Sequence, residues 1–108
     1  MTLPKINIEK MLSFLVELLN TPSPTGYTDN AIALIEKTFS VFPDLTMQRT
    51  NKGSLVIKWQ GESDESPRAL TAHTDTLGGM VKVIKSNGKL QITQLGGLML
   101  NGVETEGC

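Results

Sequence analysis

His73 and Asp75 are the residues of this chain whose types and spacing can do chemistry. They stand in the run Ala72-His73-Thr74-Asp75-Thr76, and His73 is the only histidine among 108 residues. The imidazole follows a short apolar run, Ala69-Leu70-Thr71-Ala72. At the carboxyl tip of a buried strand it would be well placed to ligate a divalent metal. A carboxylate two positions on lies on the same side of an extended chain, because strand side chains repeat every two residues. From there it can hold the other ring nitrogen, as metal-bound imidazoles usually require. One His and one Asp do not complete a catalytic zinc site, which normally takes three protein ligands. The sequence therefore reads as the first part of a larger metalloenzyme.

The elements that must position this pair can be read along the chain. Residues 7–20 carry Ile8, Met11, Leu12, Leu15 and Leu19 at helical spacing, a stripe that reads as core packing. Asn7 can cap that helix, Glu9 suits the positive end of its dipole, and Pro22 and Pro24 end it. The loop Thr21-Pro22-Ser23-Pro24-Thr25-Gly26-Tyr27 reads as a connector between helices rather than as a wall of the site. Thr28 or Asp29 can cap a second helix running to about Phe39, with Ala31, Ile32, Ile35 and Phe39 facing inward and Leu34 beside them.

Strands follow. Residues 45–50 and 54–60 are expected to pair across Asn51-Lys52-Gly53, a three-residue hairpin loop. Residues 61–67 read as a charged linker. Residues 68–74 are apolar and short, which fits a strand covered on both faces and carrying His73 at its tip. Gly78-Gly79 then allows chain reversal and close backbone approach. Residues 80–85 and 90–95 flank Asn87-Gly88, which predicts a two-residue type I′ hairpin with Val83 opposite Ile92 and Lys85 opposite Leu90. Val81 would share their face. Residues 98–108 show no decisive period and read as a further strand or turn.

The expected fold class is α/β: the start of a layered zinc-peptidase-like domain, with helices on a mixed sheet, then the opening of a β-rich inserted domain. The boundary falls at about residues 77–79, giving 1–78 and 79–108. Composition narrows the function. The net charge is −1 and no basic cluster stands out, so nucleic-acid binding is set aside. No apolar run approaches the roughly 20 residues that span a bilayer. Glu9 and Lys10 interrupt the first apolar segment, so a signal peptide is not expected. Cys108 is the only cysteine, which excludes an internal disulfide within the chain and suggests a reducing, cytoplasmic setting. It reads as an ordinary thiol, not a nucleophile.

Four segments carry a resemblance: Pro22-Ser23-Pro24-Thr25-Gly26-Tyr27, Thr50-Asn51-Lys52-Gly53-Ser54-Leu55, Leu70-Thr71-Ala72-His73-Thr74-Asp75-Thr76-Leu77-Gly78-Gly79-Met80-Val81, and Leu95-Gly96-Gly97. In this order and spacing the chain resembles the N-terminal third of a deblocking or glutamyl aminopeptidase. These are cytosolic dinuclear metallo-aminopeptidases that assemble into tetrahedral particles, and they have also carried glucanase labels. The paired carboxylates of a glycosidase have no motif here. Related dipeptidases and deacylases also carry His-x-Asp after an apolar strand, but their next segment usually resembles Val-Pro rather than Leu-Gly-Gly-Met-Val.

The resemblance implies that His73 ligates one metal of a pair and that Asp75 orients it. It implies two divalent ions, zinc or cobalt with manganese also compatible, acting on peptide substrates. It further implies a homo-oligomer in which dimers build to a dodecamer. The bridging Asp, the general-base Glu, the other ligands and the second His would follow residue 108, so the chain alone is expected to be inactive. A small binding domain without chemistry is the alternative from a different class.

Overall fold

A computed structural model describes residues 5–99, 101 and 103. Cys108 and most of the segment after Met99 lie outside the described residues. The chain combines two α-helices with two small antiparallel sheets, which agrees with a mixed α/β class.

Helix α1 spans Ile8–Leu19. Asn7 caps it as the sequence predicts, accepting from the backbone N–H of Lys10 at 2.9 Å. Its far end is closed by side chains: Asn20 Nδ2 donates to Val16 O at 2.8 Å and Thr21 Oγ1 to Glu17 O at 2.8 Å. The second bond serves a carbonyl left without a helical partner just before Pro22, because Thr21 N–H turns to Leu18 O; Val16 O already accepts the Asn20 N–H. The apolar stripe departs from its expected role. Met11, Leu12 and Leu15 remain about half exposed and Leu19 is 70% exposed, so the stripe is not core here.

Helix α2 spans Asp29–Phe39, with Thr28 at its N-cap position. The Thr28 side chain makes no capping bond. Asp29 instead lies inside the first turn, where its charge suits the helix dipole. Ala31 and Ile32 form the buried apolar core among the described residues, with Ile35, Leu34 and Phe39 half-buried beside them. The inward stripe therefore holds for α2.

Strands β1 (Leu45–Arg49) and β2 (Leu55–Trp59) pair from Leu45↔Trp59 to Arg49↔Leu55. Their loop has the expected three residues: Thr50 N–H donates to Ser54 O at 2.8 Å, and Gly53 sits at φ +83°. Arg49 ties this hairpin to α2. Its Nε and Nη2 donate to the two carboxylate oxygens of Glu36 at 2.7 and 2.6 Å. That fork-to-fork pair holds the Glu36 carboxyl below its ordinary value, mainly through the hydrogen bond from Arg49.

Residues 68–74 do not form the expected strand. They run irregularly and exposed, and Leu70 is 98% accessible. A strand exists only through hydrogen bonds to a neighbour, and among the described residues none pairs with this run. Apolar composition marks it as a segment to be covered, but composition supplies no partner.

Strands β3 (Gly78–Ile84) and β4 (Leu90–Leu95) form the second hairpin. The expected type I′ turn and register are not found. Lys85 N–H donates to Lys89 O and Gly88 N–H to Lys85 O, both at 2.9 Å, so the loop is Ser86-Asn87-Gly88. Only Gly88 takes a positive φ, +79°, whereas a type I′ turn needs one at Asn87 too. This is a three-residue loop closing on a left-handed glycine. The register becomes Ile84↔Leu90 and Val83↔Gln91, and a bulge at Lys82 restores Val81↔Ile92. Val81, Ile84, Leu90 and Ile92 thus share one face, and Val83 falls on the other. Among the described residues, no helix is long and apolar enough to cross a membrane.

Candidate metal site around His73

Asp75 sits between two partners. One carboxylate oxygen, Oδ1, lies 3.2 Å from His73 Nδ1. The other, Oδ2, accepts from the Thr25 hydroxyl at 2.8 Å. The backbone carbonyl of Asp75 also lies 3.3 Å from His73 Nδ1. These contacts keep the Asp75 carboxyl below its ordinary value: the Thr25 hydrogen bond is the largest cause, desolvation opposes it, and His73 adds a smaller lowering.

The loop after α1 brings Thr25 there. Thr76 N–H donates to Ser23 O at 2.7 Å and Thr25 N–H to Thr76 O at 3.2 Å, a short parallel bridge between two distant segments. Tyr27 N–H closes a tight turn on Pro24 O at 2.8 Å, with Gly26 at φ +90°. A side chain at that third turn position would be strained, so glycine is what permits the turn that presents Thr25. Ser23 is 3% exposed beneath it. Gly78 completes the seat, since a Cβ there would lie 3.0 Å from Pro24 Cβ. The expected role of this loop as a mere connector needs correction: it grips the His-x-Asp segment. Tyr27, the larger residue of the loop, is 60% exposed and joins no part of the pair.

With Nδ1 facing a carboxylate, the tautomer that carries its proton on Nδ1 can donate there and keeps the Nε2 lone pair for a ligand. The His73 side chain is 86% exposed. This donor set fits one imidazole ligand with its orienting acid. It does not fit a whole metal centre. Among the described residues, no third His, Cys, Asp or Glu joins the two.

A family model of the M42 glutamyl aminopeptidases matches residues 53–108, just over half of the chain and the part that holds His73, Asp75 and the second hairpin. The chain belongs to the M42 glutamyl aminopeptidase family. A Bacillus subtilis (strain 168) protein with the provisional name aminopeptidase YhfE is 40% identical to it over 102 residues. That similarity covers 94% of this chain and 29% of the relative, so this M42 chain spans less than a third of the length of the curated protein it matches.

Sequence reasoning named both members of the His-x-Asp pair in this M42 chain and missed Thr25. The loop's two prolines signal a stiff segment, but no local pattern says which residue 50 positions away it will meet.

Proposed function

We propose that this chain is the N-terminal portion of a metal-dependent aminopeptidase that removes N-terminal residues from peptides with a water activated by two divalent ions. The observation that carries the reading is the Asp75 carboxylate, directed to His73 Nδ1 by one oxygen and held on Thr25 by the other. Membership of the M42 family supports peptide hydrolysis as the chemistry.

His73 offers Nε2 to one ion. It acts as a ligand and not as an acid or base, because a metal-bound imidazole has no lone pair to spare. Asp75 accepts from Nδ1–H, fixes the tautomer and makes the imidazole a better donor. When bound, the ions lower the pKa of water and polarise the scissile carbonyl. Zinc, cobalt and manganese all suit such nitrogen and oxygen ligands. The remaining ligands and a general-base Glu would come from sequence beyond residue 108.

Residues 1–78 then open the layered catalytic domain and 79–108 open a β-rich insertion. Uncovered apolar surface supports this. The α1 stripe, Leu70 and the Val81-Ile84-Leu90-Ile92 face all want covering by further chain or by subunits. A cytoplasmic homo-oligomer, dimers building to a dodecamer, belongs to the same reading.

Chromogenic aminoacyl substrates, with zinc or cobalt added, test it. The full-length protein should turn over and lose activity to a chelator, while residues 1–108 alone should not turn over. Chelator-sensitive turnover by the short chain, or none by the long one, contradicts the proposal.

A further inference from the structure

We infer that Thr25 is a positioning residue for the metal ligand: its hydroxyl pins Asp75 Oδ2 so that Oδ1 stays on His73 Nδ1. This deepens the proposed function and rests on His73 being a ligand. Thr25 touches neither metal nor substrate in this account and acts through Asp75 alone.

The geometry supports a specific rather than incidental contact. The Thr25 hydroxyl has one proton and two acceptors in reach, Asp75 Oδ2 at 2.8 Å and Thr76 O at 3.4 Å. The shorter bond to a charged oxygen takes the proton. The backbone around the hydroxyl is fixed from both sides, by Thr76 N–H on Ser23 O, Thr25 N–H on Thr76 O and the Pro24–Tyr27 turn. Holding one oxygen of a carboxylate fixes the plane of the whole group, and the other oxygen is then aimed. The Asp75 side chain is already 40% exposed, so without the hydroxyl it would be free to rotate towards water. His73, at 86% exposure, has no packing of its own to hold its ring. The ring's orientation therefore passes through Asp75 to Thr25.

The test uses the full-length protein and cobalt as the probe metal, with affinity measured by equilibrium dialysis against a competing chelator. Thr25→Val keeps the shape and removes the donor, Thr25→Ala removes it a second way, and Thr25→Ser keeps it. Melting of the metal-free variants restricts the comparison to folded protein. Thr25→Val and Thr25→Ala should weaken cobalt binding roughly 10-fold, the scale of losses when a ligand's orienting partner is disturbed. Thr25→Ser should bind as the parent does. Thr25→Val added to Asp75→Asn should weaken binding no further than Asp75→Asn alone, because both act through one carboxylate. Parental affinity in Thr25→Val, equal loss in Thr25→Ser, or losses that multiply with Asp75→Asn each overturn the inference. His73→Ala runs beside them: if it keeps both metals, the ligand reading itself fails, whereas if it loses one and Thr25→Val loses nothing, only the role of Thr25 fails.

Discussion

Thr25 and Asp75, 50 positions apart, share a 2.8 Å hydrogen bond that joins the loop after the first helix to the His-x-Asp segment. The bond makes a three-residue relay, Thr25 to Asp75 to His73, from parts of the chain that no local pattern links. It also explains the glycine that follows. Gly78 leaves room for Pro24, whose loop carries Thr25.

Asp75→Asn in the full-length protein should keep the fold and weaken metal binding or activity about 10–100-fold, since Asn can no longer accept from Nδ1–H with a charged oxygen while binding Thr25. Metal titration and kcat/KM on the same preparation check it. An unchanged affinity would mean that the ring is oriented by something else.

Gly88→Val should destabilise the second hairpin by about 1–3 kcal/mol, because a β-branched residue is forced to a positive φ. Gly88 adopts +79° there. Gly88→Asn should cost less, as Asn tolerates the left-handed region. Thermal or denaturant melts rank the three proteins, and equal midpoints for Val and Gly would refute the loop geometry.

Gly79 is small for a different reason. A Cβ there would lie 2.5 Å from Ile92 Cγ2 across the hairpin. Gly79→Ala should therefore destabilise by about 0.5–1.5 kcal/mol, the cost of forcing the exposed Ile92 side chain off its rotamer. Ile92→Ala in the same chain removes the clashing methyl, so the double variant should lose less than the sum of the singles. Strict additivity in a double-mutant cycle would mean the two positions do not meet.

Acid sensitivity should trace in part to Glu36. Arg49 holds its folded pKa below the ordinary 4.5. A depressed carboxylate contributes stability at pH above its unfolded value and loses that contribution as pH falls through the lower folded value. Glu36→Gln removes the linkage, so the melting temperature should fall less steeply below about pH 4.5 than in the parent. Parallel acid limbs for the two proteins would contradict it.

What the sequence discloses here follows the range of the interaction. The Asn7 cap is three residues from the N–H it serves, and the Thr50–Ser54 loop closes on itself, so both are legible locally. The Asn87-Gly88 pair misleads because the dipeptide predicts a two-residue turn, while Gly88 alone takes the left-handed position and shifts every partner in the register. Residues 68–74 read as a strand from composition, yet a strand depends on neighbours that composition does not name. The His-x-Asp pair is legible because its two members sit two residues apart. Thr25 is not, because its partner lies 50 residues on.

Counting the metal held by His73→Ala decides whether His73 is a ligand. In the full-length protein, elemental mass spectrometry of the parent should find two divalent ions per chain, and the variant should hold one and have lost nearly all hydrolysis. Circular dichroism should be unchanged, since the substitution removes a ligating side chain and no apolar packing. Two ions per chain and full activity in His73→Ala would make His73 a bystander and contradict the account.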